Sequence, residues 1–176
     1  MLTKDRILEL LNQINQELKI RELRGEIILL GGAVMTVVFN ARGSTDDIDA
    51  LYHPKDAFSE IISKIGIEEG LPKKWLNDAV ALYIPGEVEK EIYLELSNLI
   101  IYNGSPHYML ALKLAACREE EGSPDEEDIE FLVKHLQLQS AKDALDIAYE
   151  YVPVRAISPR ANWVLESIFE ELNLAE

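Results

Sequence analysis

The sequence predicts an α+β fold in which a mixed β-sheet flanked by helices is followed by an all-helical C-terminal half. Short apolar runs alternate with amphipathic segments as far as residue 104, whereas downstream of Pro106 the spacing is helical throughout. Neither a linker-like composition nor an internal repeat separates the two parts. We therefore expect an α/β core over 1–104 and a helical region over 105–176 that packs on it as one compact unit.

The N-terminal part is predicted to begin with an amphipathic helix. Apolar residues between Ile7 and Leu18 recur every three or four positions, which predicts a helix over 3–22 with Thr3 as its N-cap. Pro54 opens a further helix that covers Ala57–Ile65. Apolar or alternating runs predict strands at Glu26–Leu30, Asp47–Tyr52, Ala79–Ile84, Ile92–Ser97 and Leu99–Tyr102.

Two segments of this part have a less regular pattern. Ala33–Phe39 contains valines, but it follows the glycine pair Gly31-Gly32, which favours a short helix. Trp75–Asp78 is predicted to be a turn of helix or a loop. Neither segment is therefore expected to add a strand to the sheet.

The C-terminal half is predicted to start sharply. Gly104-Ser105-Pro106 is a helix-start signal, with Ser105 as N-cap and Pro106 in the first helical position. An acidic run, Glu119–Asp128, holds seven acids in ten residues and is predicted to be a solvated loop between helices. The predicted helices are Pro106–Arg118, Asp125–His135, Ala141–Tyr151 and Pro159–Leu172.

Composition excludes several classes of protein. Seventeen Lys and Arg against 32 Asp and Glu give a net charge of −15, which disfavours a general nucleic-acid-binding module. A substrate that brings Mg²⁺ remains compatible, because the ion reverses the local field. The sequence has neither a long uncharged apolar run nor a signal-peptide pattern, so no membrane partner is expected. The single cysteine, Cys117, precludes an internal disulfide and fits a cytoplasmic location.

The most informative stretch lies between residues 29 and 51. An apolar strand runs into Gly31-Gly32, and a later apolar run begins with Asp47-Ile48-Asp49. Carboxylates at i and i+2 of a strand share one face, about 6–7 Å apart along the chain. That spacing suits one Mg²⁺ or Mn²⁺ ion, or two ions roughly 4 Å apart. The glycine pair lets backbone N–H groups approach a phosphate. Together these residues predict a site for a metal-bound nucleoside triphosphate.

The order of these motifs resembles that of nucleotidyltransferases of the DNA polymerase beta superfamily, in which a glycine pair at a helix start precedes a D-x-D strand. The closer likeness is to small bacterial nucleotidyltransferase-like proteins and to the abortive-infection toxin nucleotidyltransferases of toxin–antitoxin systems. Those carry R-x-[ST]-x-D-[IL]-D, then a helical lysine, then an aspartate in the next helix; this chain has the spacing R-x-x-T-x-D-I-D. The matching residues, over about 25–140, are Gly31, Gly32, Arg42, Thr45, Asp47, Asp49, Lys113 and Asp128.

The resemblance implies Mg²⁺- or Mn²⁺-dependent transfer of a nucleoside monophosphate from an NTP to an acceptor. Asp47 and Asp49 would bind the metal, and Lys113 would supply a catalytic cation. The nucleotide would be bound by Gly31, Gly32, Arg42, Ser44, Thr45 and Asp128. The acceptor is left open between tRNA, a protein and a small molecule, and an antitoxin or another partner chain is possible by the same resemblance.

Many active members of the superfamily use a third carboxylate from a neighbouring strand. Glu95 is the candidate here, with Glu91 as the alternative in another register. Plainer interpretations stay open: a simple strand-to-helix turn at the glycines, an acidic turn without metal, a solvated Lys113 and a first-turn acid at Asp128. Because neither glutamate lies in a recognised motif, a second hypothesis also stays open, a catalytically weak fold that acts as a nucleotide-sensing or protein-binding module.

Overall fold

The computed structural model describes residues 1–82, 84, 86–117 and 124–174. These residues confirm the α+β class: a mixed five-stranded sheet with helices forms the N-terminal part, and four α-helices are described in the C-terminal half. The chain divides into two compact units, Met1–Gly104 and Ser105–Glu176. Within the described ranges, no helix has both the length and the apolar composition needed to cross a bilayer.

Seven β-strands and three α-helices are described in the first unit. In chain order they are β1 (Leu2–Thr3), α1 (Lys4–Ile20), β2 (Gly25–Leu29), α2 (Gly31–Val37), β3 (Ser44–Thr45), β4 (Ile48–His53), α3 (Lys55–Glu68), β5 (Leu76–Asn77), β6 (Lys90–Glu95) and β7 (Leu99–Gly104).

The five-stranded sheet has the order β5-β4-β2-β7-β6. The central strand β2 is antiparallel to β4 and parallel to β7, while β5 is parallel to β4 and β6 is antiparallel to β7. A register shift interrupts β6 between Ile92 and Leu94. The strands β1 and β3 form a separate antiparallel pair. This order makes β4, which follows Asp47, a neighbour of β2 on one side and β5 on the other.

The core of the first unit lies on one face of this sheet. Alternate residues of the strands, such as Ile27 and Leu29 in β2, are fully buried. Helix α1 buries the predicted stripe from Ile7 to Leu18. Its N-cap is also confirmed, because the Thr3 hydroxyl accepts a hydrogen bond from the backbone N–H of Arg6 at 3.4 Å. The opposite face of the sheet carries half-buried side chains, including those of Asp49 and Leu51.

Two predictions in this unit are wrong. Ala79–Ile84 is not a strand: Ala79–Leu82 is a 3₁₀-helix, and residue 83 of that segment lies outside the described residues. Trp75–Asp78, predicted as a turn of helix or a loop, contains β5. The reason for the first is local, because the Asn77 Oδ1 atom accepts the Ala79 N–H at 3.1 Å and the Asp78 carbonyl accepts the Ala81 N–H at 2.9 Å. These bonds close tight turns in place of an extended strand.

The second unit is helical in all its described elements. Ser105 caps its first helix as predicted, accepting a hydrogen bond from the Tyr108 N–H at 3.2 Å. Residues 118–123, which include Arg118 and half of the acidic run, lie outside the described residues. From Pro124 the run is the first turn of a helix and not a loop. The elements are α4 (Pro106–Ala116), α5 (Pro124–His135), α6 (Ala141–Tyr151), a 3₁₀-helix (Val154–Ala156) and α7 (Pro159–Leu174).

Candidate functional site

The antiparallel pairing of β2 and β4 brings the glycine pair to the D-x-D motif. Leu29 is the register partner of Ala50, and the next backbone bond runs from the Leu30 N–H to the Asp49 carbonyl at 2.9 Å. The end of β2 and the start of β4 therefore lie at the same end of the sheet. The chain turns from β2 into α2 at Gly31, whose φ of +55° is in the left-handed region that favours glycine.

Both glycines are closely covered by predicted site residues. A Cβ atom at residue 31 would lie 2.8 Å from Asp49 Oδ2, and one at residue 32 would lie 2.5 Å from Thr45 Oγ1 and 3.4 Å from Arg42 Nη1. These separations leave no room for a larger residue unless the neighbours shift. The structure thus brings Gly31, Gly32, Arg42, Thr45 and Asp49 together. The absence of a side chain at the two glycines allows this close packing, and the positive φ of Gly31 also allows the turn.

Asp47 has a partner that the sequence pattern did not predict. The parallel pairing of β5 with β4 places Asn77 opposite Asp49, and the Asn77 Nδ2 atom donates to Asp47 Oδ2 at 3.2 Å. Register partners project from the same face of a sheet, so Asp49 and Asn77 share one face. Asp47 precedes β4, and its hydrogen bond with Asn77 places its carboxylate at that face as well. A two-residue strand such as β5 has no periodicity, so no sequence signal pointed to Asn77.

Glu95 does not lie with the two aspartates, and the prediction that it completes their metal site is corrected. Glu95 lies on the edge strand β6, where its register partner is Ile100 of β7. Ile100 is in turn opposite Glu26 of β2, and Glu26 is opposite His53 of β4. Glu95 is thus three strands from β4 and at the far end of it, about 20 Å from Asp49 by standard strand spacings. There Glu95 and His53 line a cavity of about 320 Å³.

The alternative, Glu91, is also too far across the sheet. It pairs with Asn103, which lies opposite Leu29 and, through it, Ala50. That row is next to Asp49, but three strand spacings still separate β6 from β4, about 14 Å. Neither glutamate is a neighbour of the D-x-D motif, because β7 and β2 lie between the two strands.

Ser44 and Thr45 have different surroundings. Thr45 is buried beside Gly32, whereas the Ser44 hydroxyl donates to the Met1 sulfur at 3.3 Å. The two side chains point to opposite faces of β3, as adjacent residues in a strand do. Ser44 therefore does not reach the glycine pair, and its predicted role in nucleotide binding is not supported by its placement. Asp46, between Thr45 and Asp47, is exposed.

The other two predicted site residues lie in the second unit. The Lys113 Nζ atom is 2.7 Å from Asp128 Oδ2 and 2.8 Å from Asp125 Oδ1. The Lys113 side chain is 9% exposed and that of Asp128 is 3% exposed, so the solvated lysine and the simple first-turn acid are both excluded. The structure brings Lys113 and Asp128 together in a buried ion cluster, which Asp125 joins.

The carboxylates of the first unit can supply part of a metal site. Among the residues that the structure describes, no three His, Cys, Asp or Glu side chains converge as a metal-binding group would. Asp47 and Asp49 supply two carboxylates on one face. Mg²⁺ is commonly held by one or two carboxylates together with substrate phosphates and water. The residues present therefore fit a cation that arrives with a nucleotide, and they do not form an all-protein metal cage.

Comparisons of the chain with protein-family models, with curated proteins and with solved structures found no match. Its function is therefore inferred from its fold and its site residues.

Proposed function

We propose that this chain is a nucleotidyltransferase-fold protein that binds an NTP with Mg²⁺ or Mn²⁺ and transfers its nucleoside monophosphate to an acceptor hydroxyl. One observation supports this proposal most directly: Asp49, Thr45 and Arg42 converge on the glycine pair. A Cβ at residue 31 would lie 2.8 Å from Asp49, and one at residue 32 would lie 2.5 Å from Thr45 and 3.4 Å from Arg42. Separate parts of the linear motif meet at one end of the sheet, beside Asp47 and its partner Asn77.

Each residue of this group has a chemical role in the proposal. Asp47 and Asp49 hold the cation from one face of the sheet. When bound, the cation offsets charge on the phosphate oxygens as pyrophosphate leaves. Arg42 presents a guanidinium, whose planar donors match phosphate oxygens, next to the backbone of Gly32. The absence of a Cβ at both glycines lets the side chains of Asp49 and Thr45 pack closely against this backbone turn.

Lys113 and Asp128 have a structural role in this proposal. The Lys113 ammonium is already bound by two carboxylates, and Asp128 is buried against it. A lysine that contacts a phosphate acts as an exposed point charge, which this lysine is not. The proposal therefore depends on the first unit alone for its chemistry.

Of the three possible acceptors, we favour a protein or a small molecule over tRNA. A net charge of −15 repels a polyanion at long range. A nucleotide that carries its own divalent cation is not excluded in this way. By the resemblance of its motifs, the protein would act as the toxin-like member of a toxin–antitoxin or phage-defence pair, with an antitoxin or partner chain.

A second candidate function is a nucleotide-sensing or protein-binding module with little catalytic activity. The observation that favours it is the distance of Glu95 and Glu91 from the D-x-D motif, three strands away across the sheet. The strand next to β4 contributes the neutral Asn77 in their place. A site with two carboxylates binds a metal–nucleotide complex but offers fewer ligands for a second cation, so less of the negative charge of the transition state would be neutralised.

Label transfer from α-³²P-NTPs tests the proposal. Each nucleotide is incubated separately with Mg²⁺ or Mn²⁺, and with total tRNA, lysate protein or small-molecule fractions. We expect labelled product with the wild type and with Asp46→Asn, the exposed neighbour with the same change of charge. Asp47→Asn and Asp49→Asn should reduce it by at least about a hundredfold.

A thermal-shift assay separates the two candidate functions. If no acceptor is labelled but Mg²⁺ and an NTP raise the Tm of the wild type and not of Asp49→Asn, the binding module replaces the transferase. If neither label nor an Asp49-dependent shift is seen with folded proteins, both candidates are refuted.

A further inference from the structure

The strand next to the D-x-D motif contributes an amide whose orientation is fixed by its contacts. The Asn77 Nδ2 atom donates to Asp47 Oδ2 at 3.2 Å and to the Lys74 carbonyl at 3.4 Å. Its Oδ1 atom accepts the Ala79 N–H at 3.1 Å. A reversed amide would set Oδ1 against the Asp47 carboxylate and Nδ2 against an N–H donor, so only one orientation satisfies all three contacts.

The acid next to Asn77 faces elsewhere. The Asp78 Oδ2 atom is 3.0 Å from the Lys55 Nζ atom, on the side of helix α3. Asp78 follows the last residue of β5, and its ion pair with Lys55 directs its carboxylate towards α3. On the β5 side, the side chain that touches the D-x-D motif is therefore a neutral hydrogen-bond donor.

We propose that Asn77 is a positioning residue for Asp47 and sets how the site acquires its cation. Its Nδ2 atom holds one carboxylate oxygen of Asp47, which fixes the orientation of that side chain. Because the amide adds no charge, two carboxylates alone retain a divalent cation weakly, and the cation binds together with the nucleotide phosphates. This inference rests on the proposed function, in which Asp47 and Asp49 bind the metal of an NTP.

Substitutions at Asn77 have opposite expected effects on cation binding. Asn77→Asp keeps the side-chain shape and an oxygen for the Ala79 N–H, but it replaces the donor to Asp47 by a third carboxylate. Extra ligand charge raises divalent-cation affinity, so this variant should bind Mn²⁺ without nucleotide about tenfold more tightly than the wild type. Asn77→Ala removes the support of Asp47 and should weaken Mn²⁺ binding with nucleotide by about tenfold.

The experiment measures free Mn²⁺ by electron paramagnetic resonance with the full-length chain, with and without each of the four α,β-methylene NTP analogues. The matched control is Asn98→Asp, which has the same change of residue and charge. The Asn98 amide donates to the Leu23 carbonyl at 2.8 Å, and Asn98 lines the cavity with Glu95, far from Asp49. We expect wild-type affinity for Mn²⁺ in this control, with or without analogue.

The outcomes separate this inference from the proposed function. If an analogue promotes Mn²⁺ binding by the wild type but not by Asp49→Asn, and both Asn77 variants match the wild type, the role of Asn77 is refuted and the proposed function stands. If the wild type and Asp49→Asn bind Mn²⁺ alike with every analogue, the metal site of the proposed function fails and the inference fails with it. If Asn77→Asp does not fold, as judged by circular dichroism, Asn77→Ala alone tests the inference. Wild-type Mn²⁺ binding by Asn77→Ala in the presence of the analogue would then refute it.

Discussion

The Asp49 Oδ2 atom lies against the Cα of Gly31, so that a Cβ there would be only 2.8 Å from that oxygen. The same glycine has a φ of +55°. Two independent constraints therefore act on this position, the backbone conformation and the nearby carboxylate. Substitutions can separate them, because Gly70 has a similar φ of +63° and a Cβ added there would meet no heavy atom within 4 Å.

Gly31→Ala should destabilise the protein more than Gly70→Ala. A non-glycine residue at positive φ costs about 1 kcal/mol, which both variants share. Gly31→Ala must also displace the Asp49 carboxylate, which adds about 1–2 kcal/mol by analogy with overpacking. Urea denaturation of both variants measures the difference. Equal losses in the free energy of unfolding would show that the contact with Asp49 can relax freely.

Lys113→Met should destabilise the second unit through its buried carboxylates. Removing the ammonium leaves Asp128, which is 3% exposed, without the cation 2.7 Å away. Breaking a buried ion pair from one side costs about 3 kcal/mol or more. The control is Lys142→Met, whose side chain is 80% exposed and pairs with Asp146; it should cost less than about 1 kcal/mol.

The double variant Lys113→Met with Asp128→Leu tests the cause. If the uncompensated buried charge is responsible, the second substitution should restore part of the lost free energy of unfolding in urea titrations. A loss that simply adds to that of Lys113→Met would instead show that Asp128 stabilises the helices by other contacts.

Cys117 should react slowly with iodoacetamide in the folded protein. Burial raises the pKa of its thiol, and the charges of Asp125 and Glu126 raise it further. A raised pKa lowers the thiolate fraction at a mildly alkaline pH, and only the thiolate is the nucleophile. Mass spectrometry should show much faster alkylation in urea than in buffer. Comparable rates in both would contradict a buried thiol at the end of α4.

Glu69 should make the stability of the first unit depend on pH. Hydrogen bonds from Arg6 and Gln13 lower the pKa of its carboxyl, so the folded state favours the charged form. The resulting stabilisation is present above the unfolded-state pKa and is lost as the pH falls through the lower folded-state pKa. Thermal unfolding between about pH 5 and pH 3 should therefore show a smaller loss of Tm for Glu69→Gln than for the wild type.

An intermediate variant checks this assignment. Gln13→Leu removes the 2.8 Å hydrogen bond to Glu69 Oε1 and leaves the bond from Arg6 to Oε2. Its loss of Tm on acidification should lie between those of the wild type and Glu69→Gln. A slope equal to that of Glu69→Gln would assign the whole effect to Gln13.

Local signals were sufficient for the features that depend on neighbouring residues. Thr3 and Ser105 cap helices where the sequence predicts them, since capping needs only a hydroxyl and the N–H three residues later. Gly31 and Asp49 could be associated because β2 and β4 follow one another closely in the chain and pair as antiparallel neighbours. Strands that follow one another within a sheet pair often enough for such a motif to predict proximity, and β3 between them belongs to the separate pair with β1.

Features that depend on the order of strands in the sheet could not be predicted from local sequence signals. Glu95 has a suitable alternating pattern, but β7 lies beside β2 and places β6 at the far edge of the sheet. Nothing within β6 encodes that position. Asn77 lies in a two-residue strand whose place beside Asp49 follows from the path of the chain after α3. A hydrophobic period can be recognised only over at least two repeats, so a strand of two residues cannot be predicted from periodicity.

The position of Glu95 offers a way to locate a bound ion directly. Its side chain is exposed on an edge strand of the same sheet, at the opposite corner from Asp49 and about 20 Å away by strand spacings. A nitroxide attached at Glu95→Cys, in a Cys117→Ala background, would therefore be held at a fixed separation by the intervening strands. Dipolar spectroscopy between this label and Mn²⁺ would give the distance to the ion and show whether it is bound at Asp49.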